Sequence, residues 1–220
     1  MLSHPYLCWV LSQCSSGAKH RYQPQARRVP HRPLSPAEAY YQGHGSGEVG
    51  WAPIMGVGYY KLLVQWSRGE YLSANNMEND LNRITTLNGF GYRTDAVSNT
   101  IAGAAPLTQV SGSLSASGIL ETTGDLDVYS FTTVGGVCSF SASGDAVSQN
   151  VDVSLELIGS NGIVIASANP DTLTNASISA TVAAGTYYLR VAGSGRGDAL
   201  TDGYSNYASI GQYSPTGTAP

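Results

Sequence analysis

The chain has 220 residues, of which 12% are charged and 26 are glycine. This length allows one large domain or two small ones, and the composition favours short strands and turns over helical bundles. The charge is uneven: residues 1–33 hold five of the 11 basic side chains and no acid, so the remainder carries 6 basic and 15 acidic groups. Such an acidic body argues against nucleic acid or an anionic membrane as partner.

The first stretch, residues 1–34, is rich in Arg, Gln, His and Pro and shows no periodicity. We expect either a disordered tail or a sequence translated from the wrong reading frame. The apolar run at residues 6–11 is too short for a membrane span, and no basic segment precedes it, so the sequence gives no convincing signal peptide. Four residues of this stretch are zinc-type ligands, but their spacing fits no common structural site: His4, Cys8, Cys14 and His20.

The next stretch, residues 35–105, is rich in aromatic residues and glycine. It contains YYQGHGSGEVGWAPIMGVGYYK, then QWSRGEY, ANNMENDLNRI and NGFGYR. This text resembles the end of the catalytic domain in secreted zinc endopeptidases of the metzincin type. The resemblance implies that Met55 is the Met-turn residue, which lies beneath the catalytic zinc as an apolar floor. We interpret residues 35–105 as a truncated, loop-rich remnant of such a domain.

A short helix is predicted within this remnant at about residues 76–86. Asn75 and Glu78 have the spacing of a capping box. Three apolar residues follow on one helical face: Met77, Leu81 and Ile84.

The catalytic apparatus of the parent family is missing. A zinc peptidase needs three protein ligands and a general base. In the family that this stretch resembles, a His-Glu-x-x-His helix further upstream supplies two ligands and the base, and a third histidine follows after a glycine turn. No histidine of this chain is followed by glutamate. We therefore expect no peptidase activity and no bound zinc, and the implied partner is the missing N-terminal part of a peptidase domain. His44 is expected to be a hydrogen-bonded structural group.

The last stretch, residues 110–220, alternates between apolar and polar residues from Val151 to Leu157. Asn161-Gly162 separates this run from a second one at residues 163–165, which is a strong hairpin signal. Further strands are predicted at residues 127–133, 137–143, 176–182 and 186–192. Pro215 is expected to make the last strand short or to place it at an edge. The predicted fold class is mainly β, with a jelly-roll-type sandwich following the partly helical remnant.

Five stretches of this half, SGILE, GDLDVYSF, DVSLEL, AGTYYLRV and GYSNY, occur in this order. They resemble the bacterial pre-peptidase C-terminal domain, a β-sandwich appended to secreted peptidases. The resemblance implies an extracellular protein that acts in secretion, maturation or substrate attachment. An alternative is a stand-alone extracellular module that binds protein or polysaccharide.

Two groups of candidate site residues follow. Some relatives in this family bind calcium through acids at loop ends, and calcium requires roughly 6–8 oxygen ligands. Asp125 could instead close a turn. Separately, Tyr188 and Arg190 share one strand face, which is predicted to be a binding surface. The calcium candidates are Asp125, Asp127, Asp152, Asp198 and Asp202.

Overall fold

The structure is a computed structural model that describes residues 40–147 and 149–220. The prediction of a tail over residues 1–34, with its four zinc-type ligands, lies outside these residues. One α-helix, α1, spans Asp80–Leu87. The strands in chain order are β1 (Trp51–Pro53), β2 (Leu63–Gln65), β3 (Ala105–Pro106), β4 (Thr108–Val110), β5 (Ser113–Ser115), β6 (Gly118–Leu120), β7 (Leu126–Gly144), β8 (Val153–Gly159), β9 (Val164–Ala168), β10 (Ala176–Gly193) and β11 (Gly211–Thr218).

Two long antiparallel strands form the backbone of the fold. β7 and β10 pair from Ala142 opposite Ala176 to Leu126 opposite Ala192. The sequence predicts four separate strands here, and each predicted pair is instead one continuous strand. Gly135 and Gly136 in the middle of β7 have φ angles of +98° and +132°, which only glycine adopts readily. The glycines let the long strand bend without ending.

The bend divides the sheet into two halves. β3 pairs with the first half of β7, while β8 and β9 extend the sheet from the last part of β10. β11 pairs with the second half of β7 and carries β5 and β6 on its other side, with β4 outside β5. The sheet therefore includes residues before position 110, where the sequence suggests that the sandwich begins.

One apolar core joins the two halves. Phe131 lies before the glycine bend and Phe140 after it, yet their ring centroids are 4.8 Å apart. Leu155, Leu189 and Leu114 from different strands belong to the same buried cluster. The fold is mainly β and sandwich-like, as the alternation of the sequence predicts.

The hairpin prediction is confirmed. β8 and β9 are antiparallel neighbours, and Gly162 in the turn between them has a φ of +79°. The amide of Gly162 donates to the carbonyl of Gly159 at 2.9 Å, which closes the turn.

The prediction for the last strand is wrong. β11 has eight residues and lies inside the sheet between β7 and the β5 and β6 strands. Pro215 fits there because it falls between the residues of β11 that pair with β6 and those that pair with β5. Its carbonyl accepts from Ala116 N at 3.0 Å. In an antiparallel strand the N–H and C=O of one residue point to the same side. The N–H that proline lacks would therefore point toward Ala116, between β5 and β6, where no strand residue needs it as a donor.

Residues 40–87 form a collar packed against one end of the sandwich. β1 and β2 are parallel neighbours within it. Trp51 and Leu63 of the collar pack on Tyr204 of the sandwich. The side chain of Gln65 is buried between the two parts: it accepts from Trp51 Nε1 at 2.9 Å and donates to the carbonyl of Asn150 at 2.6 Å.

The helix of the collar begins later than the sequence predicts. Its N-cap is Asn79, whose side chain accepts from Asn82 N at 2.8 Å. Asn76 instead accepts from Glu78 N at 2.8 Å and closes a turn before the helix. Leu81 is the buried residue of the predicted apolar face, and Met77 is exposed. Within the described residues, no helix is long and apolar enough to cross a membrane.

Replacing Tyr207 by phenylalanine is expected to weaken the attachment of the collar. The Tyr207 hydroxyl accepts from Leu81 N at 2.9 Å and donates to Asn79 Oδ1 at 2.7 Å. Leaving the buried amide of Leu81 unsatisfied costs about 1–3 kcal/mol, measurable by urea denaturation. The control is Tyr188→Phe on the outer face of β10, and equal stabilities of the two variants would contradict the assignment.

Candidate functional site

Three carboxylates converge near the start of β7. Oxygens of Asp95, Asp125 and Asp127 all lie within 4.8 Å of one another. Asp125 and Asp127 are buried, whereas Asp95 is exposed on the segment between α1 and β3. Across residues 40–147 and 149–220, no other group of three His, Cys, Asp or Glu side chains is close enough to share a metal ion.

A turn before β7 brings these acids together. Asp125 N donates to the carbonyl of Thr122 at 3.2 Å. The Asp125 side chain accepts from Glu121 N at 2.8 Å and from Leu126 N at 2.9 Å. The prediction that Asp125 closes a turn is therefore confirmed. Asp125 precedes β7, so the alternation of side chains along the strand does not apply to it, and it lies near Asp127. The same turn places Glu121 beside Asp125.

Two tyrosines hold Asp127 from the core side. The Tyr213 hydroxyl donates to Asp127 Oδ2, and the hydroxyls of Tyr129 and Tyr213 are 2.7 Å apart. Gly118 faces this pair, and a Cβ on it would clash with the Tyr213 hydroxyl. Any other residue at position 118 would displace the tyrosines, so the cluster depends on this glycine.

We call Asp95, Asp125, Asp127 and the neighbouring Glu121 the acidic cluster. It buries negative charge without a cationic partner. Asp127 Oδ1 and Glu121 Oε2 have no hydrogen-bond partner, although these side chains are only 0% and 3% exposed. The four ion pairs of the described residues all lie elsewhere. An unpaired buried carboxylate takes up a proton or binds a cation.

Burial also raises the pKa values of two of these acids, Asp127 and Glu121. Burial raises the pKa of Asp127 to about 7, and the neighbouring Asp125 adds to the effect while the Tyr213 hydrogen bond opposes it. Burial, together with hydrogen bonding and repulsion from Asp125, raises the pKa of Glu121 to about 8. An all-oxygen set of carboxylates with unpartnered buried oxygens fits calcium.

The other calcium candidates do not join this cluster. Asp152 accepts from the Tyr204 hydroxyl at 2.8 Å, and Asp198 accepts from Leu200 N at 2.9 Å. Asp202 pairs with Arg196 at 3.0 Å. Burial raises the pKa of Asp152 to about 6, and the Tyr204 hydrogen bond and the charge of Arg196 oppose this effect. The proposed set of five aspartates is therefore not one site, because these three are held by Arg196, tyrosine and backbone groups.

The predicted face of β10 is present, but its charge is already paired. Leu189 and Val191 are buried, whereas Tyr188 and Arg190 lie half-buried on the other face. Arg190 Nε donates to Glu156 Oε2 at 2.6 Å. A binding role for Tyr188 and Arg190 stays a prediction.

His44 has a structural role in the collar. Its Nε2 donates to the carbonyl of Gly203 at 2.6 Å, so Nδ1 is the acceptor for the Tyr41 hydroxyl at 2.7 Å. The ring stacks on Trp51 with centroids 5.2 Å apart. Burial lowers the pKa of His44, which keeps the ring neutral. The expectation of a hydrogen-bonded structural histidine is confirmed.

The collar also presents an exposed apolar surface. Four large apolar residues lie within the short stretch between β1 and β2, and we call them the collar patch: Met55 (50% exposed), Tyr59 (87%), Tyr60 (84%) and Leu62 (62%). Such clustered exposure is typical of a surface that contacts another protein or domain.

Comparison of the sequence with known proteins finds no matching family model and no matching curated protein. Sixteen solved chains resemble the fold. The pre-peptidase C-terminal domain of collagenase from Bacillus anthracis is 18% identical, covers 57% of this chain and 99% of its own, and has a TM-score of 0.35.

Two further solved structures show similar coverage. Aeromonas hydrophila PliG, a periplasmic inhibitor of g-type lysozyme, is 14% identical over 52% of this chain and 94% of its own, with a TM-score of 0.38. The Yersinia pseudotuberculosis-derived mitogen is 15% identical over 50% of this chain and 88% of its own, with a TM-score of 0.32. These similarities assign no function to this chain.

The raised pKa values predict that stability falls as pH rises in the presence of a chelator. Asp127 and Glu121 bind protons more tightly in the folded chain, so their contribution is complete at acid pH and is lost as pH passes through about 7 and 8. Each site changes the free energy of unfolding by up to about 1.4 kcal/mol per pH unit.

Urea denaturation between pH 6.5 and 9 measures this slope. Asp127→Asn removes the charge at similar size and is expected to flatten the curve, whereas the exposed Asp198→Asn leaves it unchanged. A wild-type stability that is constant or rises over this range would show that the carboxylates are not strained.

Proposed function

We propose that this chain is a non-catalytic fragment of a secreted zinc endopeptidase that retains its accessory β-sandwich. The observation that carries the proposal is the collar patch. The sequence of the collar resembles the end of a metzincin catalytic domain, one side of the collar packs on the sandwich, and Met55 is half exposed.

The exposure of Met55 is what the Met-turn assignment requires. A methionine beneath a zinc ion needs the zinc-bearing helix above it, and this helix belongs to the missing part of the domain. Tyr59, Tyr60 and Leu62 of the same loop are exposed as well. In the proposal, the missing part of the peptidase domain covers the collar patch and is the partner of this chain.

The strands of the sandwich support the accessory role. The GDLDVYSF stretch forms the turn and first half of β7, and the AGTYYLRV stretch forms the second half of β10. These stretches are neighbours in the sheet, so the words that resemble the pre-peptidase C-terminal domain lie together at its centre. An extracellular location is part of the proposal.

The gene upstream of codon 40 tests this origin. We expect a second reading frame there to encode His-Glu-x-x-His. A chain restored by joining that frame to Tyr40 should bind one zinc ion and cleave casein in a chelator-sensitive manner, which the present chain should not do.

Two results would contradict the proposal. One is an upstream sequence that lacks the zinc motif in every frame. The other is stoichiometric zinc together with chelator-sensitive cleavage of casein by the present chain. A Met55→Leu variant of the restored chain is the matched control, since it keeps the apolar floor and should retain zinc.

We further propose that the acidic cluster binds calcium. Asp95, Asp125 and Asp127, whose oxygens lie within 4.8 Å of one another, supply the ligands, and bound calcium would neutralise the charge that burial leaves unpaired. Because Asp95 lies on the segment between collar and sandwich, the ion would also tie this segment to β7. Extracellular modules bind calcium with a Kd of roughly 10⁻⁴–10⁻³ M.

Calcium is expected to raise the melting temperature at pH 7.5. About 10 mM calcium is a hundredfold excess over a Kd near 10⁻⁴ M and stabilises the fold by about 2.7 kcal/mol, which corresponds to about 5–10 °C. Asp127→Asn should lose this shift and Asp198→Asn should keep it. An equal shift in both variants, or none in the wild type, would contradict the site.

A stand-alone binding module is the second candidate function. The observation that favours it is a groove that opens beside the acidic cluster, between the segment 93–97, β6 and the first residues of β11.

A further inference from the structure

Asn99 lies beside the carboxylates that we propose as calcium ligands. It belongs to the segment between α1 and β3 that also carries Asp95. With its amide nitrogen toward β7, Asn99 Nδ2 donates to Asp125 Oδ1 at 3.0 Å and to the carbonyl of Leu126 at 2.5 Å. The amide is therefore in direct contact with one of the three aspartates that are close enough to share an ion.

The position of Asn99 is fixed by contacts that involve no ion. The carbonyl of Ser98 accepts from Val128 N at 3.0 Å, which attaches the segment to β7. Val97 packs against the main apolar core, and its amide donates to Asp95 Oδ1 at 2.9 Å. Asp95 and Asn99 thus lie at the two ends of an anchored stretch of five residues.

The Asn99 amide can serve two opposite purposes at this position. Its oxygen and nitrogen differ little in size, and its last torsion angle is broad and roughly two-fold, so a rotation exchanges the two atoms in place. With Oδ1 toward β7, the side chain faces only acceptors. Such contacts are repulsive unless a cation lies among the oxygens, so the nitrogen faces Asp125 without a cation and the oxygen can replace it when a cation binds.

The proposed site is closed on one side and open on the other. Asp127 is fully buried, and its Oδ1 has no hydrogen-bond partner. Asp95 and Asn99 are exposed, so an ion enters from the side of the segment and meets these two side chains first.

The carboxylates leave a need for a further oxygen ligand. Both oxygens of Asp125 already accept backbone donors, Oδ1 from Leu126 N and Oδ2 from Glu121 N. Calcium takes roughly 6–8 oxygen ligands, more than one from each of three aspartates. A neutral amide oxygen adds to the coordination without adding a fourth charge to carboxylates that repel one another.

We propose that Asn99 is a reversible ligand of the calcium site: its nitrogen donates to Asp125 without calcium, and its Oδ1 turns to the ion when calcium binds. In the first state the amide gives a buried carboxylate a donor, and in the second it gives calcium a hard oxygen ligand. This inference rests on the proposed calcium site, and it makes the orientation of one side chain depend on occupancy of that site.

Isothermal titration with calcium chloride tests the proposal with two substitutions at this position. Asn99→Asp adds a charged oxygen ligand and should tighten calcium binding roughly tenfold. Asn99→Leu keeps a similar size without an oxygen and should weaken calcium binding roughly tenfold. Urea denaturation in EDTA should show both variants to be less stable than the wild type, because each loses the donor to Asp125 and Leu126.

A substitution outside the cluster provides the matched control. Asn161→Asp in the exposed turn between β8 and β9 adds the same charge and should leave the calcium affinity unchanged. Any pattern other than opposite changes in affinity for the two Asn99 variants would overturn the ligand role of Asn99 and leave the calcium site standing. Absence of calcium binding by the wild type would refute the calcium site and this inference together.

Discussion

The pairing of β7 with β10 along their full length is the constraint on which the rest of the structure depends. Because both strands continue through the glycine bend, one ladder of hydrogen bonds fixes the register in both halves of the sandwich. Phe131 and Phe140 thereby meet in a single core. The same ladder sets where β7 begins, and with it the positions of Asp127 and Tyr129. β11, held on the second half of β7, brings Tyr213 to them.

This arrangement buries the carboxylates of Asp125 and Asp127. On its core side, Asp127 faces the hydroxyls of Tyr129 and Tyr213. Gly118 leaves room for these two side chains because it has no Cβ. The other side faces Asp95 and Asp125. A buried carboxylate among others loses hydration and gains repulsion, so the fold stores a cost that protons relieve at low pH. Calcium would relieve the same cost at neutral pH, which is why we propose a cation site here.

Much of the sandwich can be predicted from the sequence. Alternation over Val151–Leu157 and the Asn161-Gly162 turn are local signals, and both identify elements that the structure contains. Pro215 is misleading because its tolerance depends on a gap between β5 and β6, which is a tertiary fact. The N-cap of the helix is Asn79 rather than the predicted Asn75. The reason is the turn that Asn76 closes with Glu78 N, which comes before the first helical residue.

The candidate site is predictable only in part. Asp125 and Asp127 stand out because they flank the start of a strand. Asp95 lies in a segment without periodicity, and Glu121 reads as an ordinary residue after β6. Their convergence depends on a turn and on a long-range contact, so no spacing in the sequence reveals it. The tie between collar and sandwich is similar, since Tyr204 and Tyr207 are far in sequence from Trp51 and Leu81.

The most direct test of the cation site is luminescence of terbium, which replaces calcium at carboxylate sites. Because Tyr213 and Tyr129 adjoin the cluster, excitation of tyrosine should sensitise terbium emission in the wild type. Added calcium should displace the ion and quench this emission, and Asp127→Asn should not show it. Emission of equal strength in Asp127→Asn, or no sensitised emission in the wild type, would contradict a cation site at the start of β7.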